Sequence, residues 1–221
     1  MIASTKGIVL RNTKYSDNKN ILTLLTEDFG KMPYIVYAPH SKRAVLRSSA
    51  LQVLSVLDLQ VEHREGRNLQ KIKDARVYKA NKAILDNPPK AAFSFFMAEV
   101  VDKSIYAPEK DKEVFDFLYS SIENLEASDK VGAYLPMDFM MDLSRHLGFY
   151  PYDGGDNEFL RAFAGDSRLD GFVKYLQGER DFDRNGRRDI LHLAVDYFRL
   201  NLPLLRGLST VEVLESFFSE Q

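Results

Sequence analysis

Five short runs of strand character fill most of the first eighty residues of this 221-residue chain. Each run is rich in apolar and β-branched side chains, and most are joined by short turns. The runs cover residues 4–15, 20–26, 31–38, 51–64 and 69–79. Five strands in so short a segment match a small antiparallel barrel, and the five-stranded OB-fold is the commonest such barrel that binds oligonucleotides.

Two of these runs predict particular details of the barrel. Glu27 to Gly30 forms a turn between the second and third runs, and Gly30 can adopt the positive φ that such a turn often needs. These two runs are therefore predicted to pair as a hairpin. The fourth run alternates well and predicts one strand, with its inward side chains at Leu51, Val53, Leu57, Leu59 and Val61.

After Lys79 the apolar residues recur with the period of a helix. A short helix ends at Pro88 and Pro89, because proline cannot continue it. Further helices are predicted at 91–106, 111–125, 131–147, 169–176, 187–202 and 210–218. Gly148 is the expected C-cap of the third of them. The predicted fold class is α+β, with an OB-fold domain at 1–79 and an α-helical domain at 80–221.

The net charge of −2 hides a difference between the two parts of the chain. Residues 1–80 carry 14 basic and 7 acidic side chains, a net charge of +7, whereas residues 81–221 carry −9. Such asymmetry indicates two modules with different partners.

Groups able to carry catalysis are scarce. The chain has no cysteine, and its four histidines have no metal-ligand spacing. It contains no P-loop, no G-x-G-x-x-G and no G-x-S-x-G motif. We therefore predict a protein that is not an enzyme and needs no cofactor. The first residues lack a signal-peptide layout, and no apolar run approaches the ~18 residues of a membrane helix. This predicts a soluble, cytoplasmic protein with no membrane contact.

A loop with basic side chains and no acidic one follows the third strand, in the stretch YAPHSKRAVLRSSALQ at 37–52. Cations that track a phosphate backbone, together with aromatic faces on which bases stack, are typical of single-strand binding. The first three strands and the turns beside them also carry further cations and aromatic rings, among them Lys19 and Tyr15. Tyr34 and Tyr37 lie on opposite faces of the third strand because successive side chains alternate, so one is predicted to lie in the core and the other to be exposed. The candidate DNA-binding residues are Arg11, Lys14, Lys31, Tyr34, Tyr37, Lys42, Arg43 and Arg47.

Several short motifs of the first module follow one another in a fixed order. They are a strand ending in Leu10-Arg11, a Tyr15-Ser16-Asp17 turn, Thr26-Glu27-x-x-Gly30-Lys31, the basic loop, and a strand led by Leu51-Gln52. This ordered series resembles the RecO family of bacterial DNA repair proteins. RHLGFYP at 145–151 and the helices from 197 to 218 extend the resemblance over nearly the whole chain.

The resemblance implies an OB-fold followed by a helical domain, as the periodicity does independently. It implies binding of single- and double-stranded DNA, annealing of complementary strands, and help in loading recombinase during repair. The implied partners are RecR and the acidic C-terminal tail of the single-stranded-DNA-binding protein.

Two features depart from the family pattern. The four-cysteine zinc site has no counterpart in this cysteine-free chain, and 152–187 is where it would lie. The positions that match the family's tail-binding cations read Met137 and Asp138, so that pocket is not carried over. Arg145 is a candidate partner contact by its neighbourhood alone.

Other interpretations remain open at the level of sequence. The tyrosines can be core-rim residues beside a solvated loop. The barrel can also belong to a protein-interaction scaffold whose basic loop docks an acidic partner. A nuclease would need clustered carboxylates for metal ions, and the first module offers none.

Overall fold

A computed structural model of the chain describes residues 1–42, 44–79, 81–106, 109–151, 158–203, 205 and 207–218. The chain divides into two compact units, Met1–Ser128 and Asp129–Gln221. The first unit contains the strands and the first three helices, and the second contains the remaining helices.

The first unit is built on a closed barrel with the strand order β1-β2-β3-β5-β4. The strands are β1 Ile2–Ser16, β2 Lys19–Thr26, β3 Gly30–Tyr37, β4 Val56–Glu62 and β5 Gln70–Lys79. All pairs are antiparallel except β3 with β5, which run parallel. This confirms the predicted OB-fold barrel followed by helices.

The hairpin of β2 and β3 forms as predicted. Thr26 pairs with Gly30 across the turn, and Gly30 has φ +65°. The Thr26 hydroxyl fastens the turn, because it accepts a hydrogen bond from the Phe29 amide at 3.1 Å and donates one to the Gly30 carbonyl at 2.9 Å. A glycine is needed here because other residues rarely adopt this backbone conformation.

The fourth strand is shorter than the sequence predicts. Leu57, Leu59 and Val61 are buried in the barrel core as expected. Leu51, however, ends a 3-10 helix at Ser48–Leu51, and Val53 precedes the strand, so both were wrongly placed in β4. The chain turns between them and β4 at Leu54, which has φ +61° and whose amide donates to the Val9 carbonyl. An apolar run alone cannot reveal such a turn.

Three helices complete the first unit: α1 Lys82–Asp86, α2 Pro88–Ser104 and α3 Lys112–Ala127. Asn87 caps α2 by accepting from the Lys90 amide at 3.2 Å, and Pro88 occupies the first helical position, where its missing amide costs nothing. Helix α2 packs against β1 and buries Phe93, Phe96, Met97, Val100 and Val101. Each buried side chain of this size contributes about 1.5–3 kcal/mol.

The second unit contains α4 Leu135–His146, α5 Glu158–Ala162, α6 Leu169–Leu176, α7 Arg184–Asn201 and α8 Thr210–Phe218. Gly148 has φ +80° just beyond α4, as expected for a C-cap, and its amide donates to the Arg145 carbonyl. Helix α5 was not predicted.

Strands give way to helices close to residue 80, where the domain boundary is predicted, while the compact units divide after Ser128. The difference arises because α1 to α3 group with the barrel. Within the part of the chain that the structure describes, no helix is long and apolar enough to cross a membrane.

Candidate nucleic-acid interface

The far half of β1 and the start of β2 form an exposed hairpin. Residues 5–10 of β1 are buried except for the partly buried Lys6, whereas 11–16 are exposed. The pairing of β1 with β2 is irregular between Val9 and Arg11, where the buried part of the strand ends, and again between Lys14 and Ser16. The exposed hairpin carries Arg11, Lys14 and Tyr15 into solvent.

The basic loop after β3 is fastened to the tip of this hairpin. The Ala38 amide donates to the Asn18 carbonyl at 2.9 Å, and the His40 ring nitrogen Nε2 lies 2.7 Å from the Asp17 carbonyl oxygen. The β2–β3 register places Lys19 opposite Tyr37, with the Lys19 ammonium 6.0 Å from the centre of the tyrosine ring. Hairpin and loop thus form one surface, which we call the basic edge: Arg11, Lys14, Tyr15, Lys19, Tyr37, Lys42 and Arg47.

Two cations of this surface are uncompensated. Lys42 and Arg47 are exposed, and neither makes an ion pair with any residue that the structure describes. Lys14 pairs with Asp17 at 3.2 Å, but both side chains are largely exposed and such pairs contribute little. Arg43 lies outside the described residues. The basic edge therefore holds positive charge that no acidic side chain among the described residues neutralises.

Two other predicted cations are held by one carboxylate of α2. The Arg11 guanidinium lies 3.2 Å from Asp102, and the Lys31 ammonium lies 3.1 Å from the same carboxylate and also donates to the Asp102 carbonyl oxygen. The Lys31 side chain is 18% exposed, whereas that of Arg11 is 62% exposed. Asp102 thus competes with any external anion for both cations. The sequence does not reveal these ion pairs, because 71 residues or more separate Asp102 from its partners.

The structure decides between the two candidate tyrosines. Even-numbered residues of β3 face the barrel interior, and Tyr34 is 0% exposed there, so it cannot offer a stacking face. Burial raises the pKa of the Tyr34 hydroxyl to about 12. Tyr34 is therefore corrected to a core residue. Tyr37 is partly exposed at the basic edge, which also carries the exposed Tyr15.

The second unit contains a pocket of about 490 Å³ formed by α4, α7 and α8. Its apolar lining includes Pro136, Met137 and Leu191, and its charged lining is Arg184, Arg187, Arg188 and Glu215. The Arg187 guanidinium donates to the Phe182 carbonyl at 2.8 Å. Sequence reasoning looked for cations on α4 and missed these arginines at the start of α7.

Arg145, the predicted partner contact, is not among the described residues that line this pocket. Its guanidinium lies over the Tyr150 ring at 3.4 Å from the ring centre, and Asp142 is 3.8 Å away. Its side chain is half exposed, so it remains a candidate contact outside the pocket.

A zinc site of the four-cysteine kind does not fit this chain, which has no cysteine to supply thiolates. Among the described residues, no group of three or more histidine, aspartate and glutamate side chains is placed to hold a metal ion. Residues 152–157 lie outside the described ranges.

Comparison with known proteins shows which family the chain belongs to. Residues 1–81 match the family described as Recombination protein O N terminal, and residues 85–152 match Recombination protein O C terminal. The DNA repair protein RecO of Azobacteroides pseudotrichonymphae is 30% identical over 99% of this chain and 100% of its own length. The chain belongs to the RecO family. The RecO proteins of Bacteroides fragilis and Flavobacterium psychrophilum are 29% and 23% identical over the same shares.

This membership confirms the resemblance drawn from the motifs and places the chain among DNA repair proteins. The relatives are matched along their whole length, so the RecO assignment covers the barrel and the helices alike.

Proposed function

We propose that this RecO-family protein binds single- and double-stranded DNA through the basic edge, anneals complementary strands, and assists recombinase loading together with RecR. It acts by binding, without catalysis. The observation that carries the proposal is the uncompensated charge of Lys42 and Arg47 beside Tyr37 and the exposed hairpin of β1 and β2. Cations spread along an edge contact successive phosphates, and exposed aromatic rings stack on unpaired bases.

The experiment is a salt titration of DNA binding with the triple variant Lys42→Ala, Arg43→Ala and Arg47→Ala. Each lost phosphate contact lowers the slope of log K against log salt by about 0.9 on duplex and about 0.7 on single strands. Three contacts predict a slope smaller by about 2.7 on duplex and about 2.1 on single strands. Because phosphate contacts carry no sequence information, affinity should fall alike on every sequence.

A matched control removes three cations that already have acidic partners. Lys110 pairs with Asp28, Lys112 with Asp116, and Lys174 with Asp170. Their replacement by alanine changes net charge equally, but the slope should stay close to that of the wild type. Equal slopes for both triple variants would refute the basic edge as the DNA-binding surface.

Strand annealing separates this function from the alternatives. We expect complementary oligonucleotides to anneal faster in the presence of this protein than in its absence, both when bare and when coated by single-stranded-DNA-binding protein. An interaction scaffold predicts no binding of mixed-sequence DNA at low salt. A nuclease predicts cleavage of labelled DNA in magnesium or manganese, whereas we expect the DNA to stay intact.

We further propose that the pocket of α4, α7 and α8 receives the acidic tail of the single-stranded-DNA-binding protein. An apolar floor at Met137 and Leu191 beside arginines suits a peptide that combines apolar and acidic groups. Arg188 is exposed and makes no ion pair with any described residue, so its guanidinium is available to a carboxylate.

Titration with a labelled peptide of that tail tests the pocket. Arg187→Ala with Arg188→Ala should weaken peptide binding at least about tenfold, as expected for the loss of a charged interface contact of about 1.4 kcal/mol or more. Arg199→Ala is the matched control, because Arg199 lies on the same helix and already pairs with Asp196 at 3.0 Å. Arg145→Ala tests the earlier candidate. Weakening by Arg145→Ala alone would place the peptide outside the pocket.

A further inference from the structure

The segment that joins α6 to α7 has no regular secondary structure, yet it leads directly into one wall of the pocket formed by α4, α7 and α8. Residues 177–183 contain no helix or strand, and Gly178 has φ +97°. The first two turns of α7 follow at once and line the pocket with Arg184, Arg187 and Arg188. No residue of 177–183 was a candidate in the sequence, although the conformation of this segment affects where the three arginines lie.

The start of α7 is an electrostatically unfavourable place for three arginines. The N-terminal end of a helix is the positive end of its dipole, which disfavours cations. The first turn of α7 contains no acidic side chain that would offset them. Asp183 caps the helix by accepting a hydrogen bond from the Gly186 amide at 2.7 Å. A conflict between local preference and structure is typical of a functional site, and further contacts are needed to hold the start of the helix.

The hydroxyl of Tyr134, the residue just before α4, connects this segment to α4. It accepts a hydrogen bond from the Phe182 amide at 3.2 Å and donates one to the Arg180 carbonyl. The Phe182 ring also lies edge-on to the Tyr134 ring, with 6.5 Å between the ring centres. The carbonyl of the same Phe182 accepts a hydrogen bond from the Arg187 guanidinium at 2.8 Å. Two hydrogen bonds through one residue therefore join the Tyr134 hydroxyl to an arginine of the pocket.

The Arg180 side chain holds the same segment against α4 and α6. Its guanidinium lies 3.2 Å from the Asp138 carboxylate of α4 and 4.4 Å from the centre of the Tyr175 ring of α6. Its Nη1 donates to the carbonyls of Tyr175 at 2.8 Å and Glu179 at 3.0 Å. The Tyr175 hydroxyl donates to the same Asp138 carboxylate at 2.7 Å. These contacts tie the segment to both helices, and we call the four side chains of Tyr134, Asp138, Tyr175 and Arg180 the clamp.

The guanidinium of Arg187 is tethered through one nitrogen only. Its Nη1 donates to the Phe182 carbonyl, whereas Nε and Nη2 make no hydrogen bond with any residue that the structure describes. Arg187 is partly buried and lines the pocket. A guanidinium held in one orientation presents its remaining N–H groups to a carboxylate and loses little side-chain freedom on binding. Arg188 is exposed and makes no hydrogen bond within the described ranges, so it has no such tether.

We propose that Tyr134 and Arg180 are positioning residues of this pocket. They hold Phe182, whose carbonyl in turn holds Arg187 in the orientation that meets the acidic peptide. Neither Tyr134 nor Arg180 is among the described residues that line the pocket, so both act without touching the peptide. The inference rests on the proposed binding of the acidic tail and adds how the pocket orients one of its cations. Loss of the clamp leaves every lining residue in place but frees the Arg187 guanidinium, which must then be ordered when the peptide binds.

The test compares Tyr134→Phe with Tyr197→Phe in titrations with the labelled tail peptide. Both variants keep the ring and lose a hydroxyl that donates to a backbone carbonyl. Tyr197 is a matched control because it donates to Phe149 and lies about 15 Å beyond Arg187 along α7. Tyr134→Phe should weaken peptide binding about 3- to 10-fold, whereas Tyr197→Phe should change it less than about twofold. Arg180→Lys keeps the charge but not the planar fork, and it should also weaken binding.

A double-mutant cycle separates positioning from a general loss of structure. In the Arg187→Ala background, Tyr134→Phe should change peptide affinity less than about twofold, because the hydroxyl acts through Arg187. In the Arg188→Ala background it should weaken binding by the same factor as in the wild type. Equal weakening in both backgrounds would refute positioning through Arg187. If the wild type binds the peptide but Tyr134→Phe and Arg180→Lys both match it, the clamp is refuted while the pocket stands. If the wild type does not bind the peptide, both fail.

Discussion

The carboxylate of Asp102 offers a direct way to alter how much positive charge the barrel presents. It lies 3.2 Å from the Arg11 guanidinium and 3.1 Å from the Lys31 ammonium, and its side chain is only 14% exposed. Asp102→Asn removes the charge and keeps the shape. The variant should bind DNA more tightly than the wild type, because an external phosphate no longer competes with an internal carboxylate for these cations.

The expected change in the salt slope depends on how exposed the Arg11 and Lys31 side chains are. Arg11 is well exposed and can reach a phosphate, so it should add about 0.9 to the duplex salt slope. Between 50 and 200 mM salt this corresponds to an additional affinity loss of about 3.5-fold. Lys31 is mostly covered, and its full participation would raise the increment to about 1.8, or about 12-fold. The expected increment therefore lies between these values.

Fluorescence anisotropy with a labelled duplex at several salt concentrations measures this slope. Asp116→Asn is the control, since it changes net charge equally but removes only an i,i+4 partner of Lys112 on α3. The cost of Asp102→Asn in unfolding free energy should be about 1–3 kcal/mol, as expected for partly buried charged hydrogen bonds. A slope equal to that of Asp116→Asn would refute the competition between Asp102 and phosphate.

Two predictions concern stability. Gly30→Ala should lower the free energy of unfolding by more than about 2 kcal/mol, because φ is +65° and a Cβ would lie 2.1 Å from the Glu109 carbonyl oxygen. Gly66→Ala should lower it by only about 1 kcal/mol, because φ is +73° but the space around the new Cβ is open. Urea denaturation measures both losses, and equal losses would contradict this prediction. Hydrogen bonds from Arg168 lower the pKa of Asp166 to about 2, so its stabilisation is present above the ordinary pKa of 3.8 and is lost as pH falls toward 2. Asp166→Asn should cost about 1–2 kcal/mol at pH 7 and flatten the pH dependence of unfolding between pH 4 and 2; an unchanged acid limb would refute this assignment.

The sequence predicts the fold class correctly because period and turn chemistry are local signals. The hairpin turn at Gly30 and the C-cap at Gly148 follow from the need for positive φ, and both are confirmed. The apolar run at 51–61 misleads because it contains both a 3-10 helix and a strand, and apolar character does not distinguish them. Helix α5 escapes because five residues give no readable period.

The candidate site is predicted less completely because its electrostatics depend on tertiary contacts. The basic loop can be read directly from its composition. The neutralisation of Arg11 and Lys31 by Asp102 cannot be predicted from the sequence, since the partners come from strands and a helix far apart in the chain. Alternation restricts Tyr34 and Tyr37 to opposite faces of β3, but only the closed barrel shows that Tyr34 faces inward.

The barrel closes through a very short pairing, in which β3 and β5 match at only Tyr34 with Gln70 and Ile35 with Lys71. Every other pair of neighbouring strands in the barrel shares a longer register. The β3–β5 pairing is therefore where the barrel opens most easily, and its amides should exchange with deuterium before those of the other pairings. A DNA strand bound along the outer face of β3, as the proposed function allows, would lie next to this β3–β5 pairing. DNA binding would then stabilise the shortest strand pairing of the barrel, so the barrel should open less often when DNA is bound.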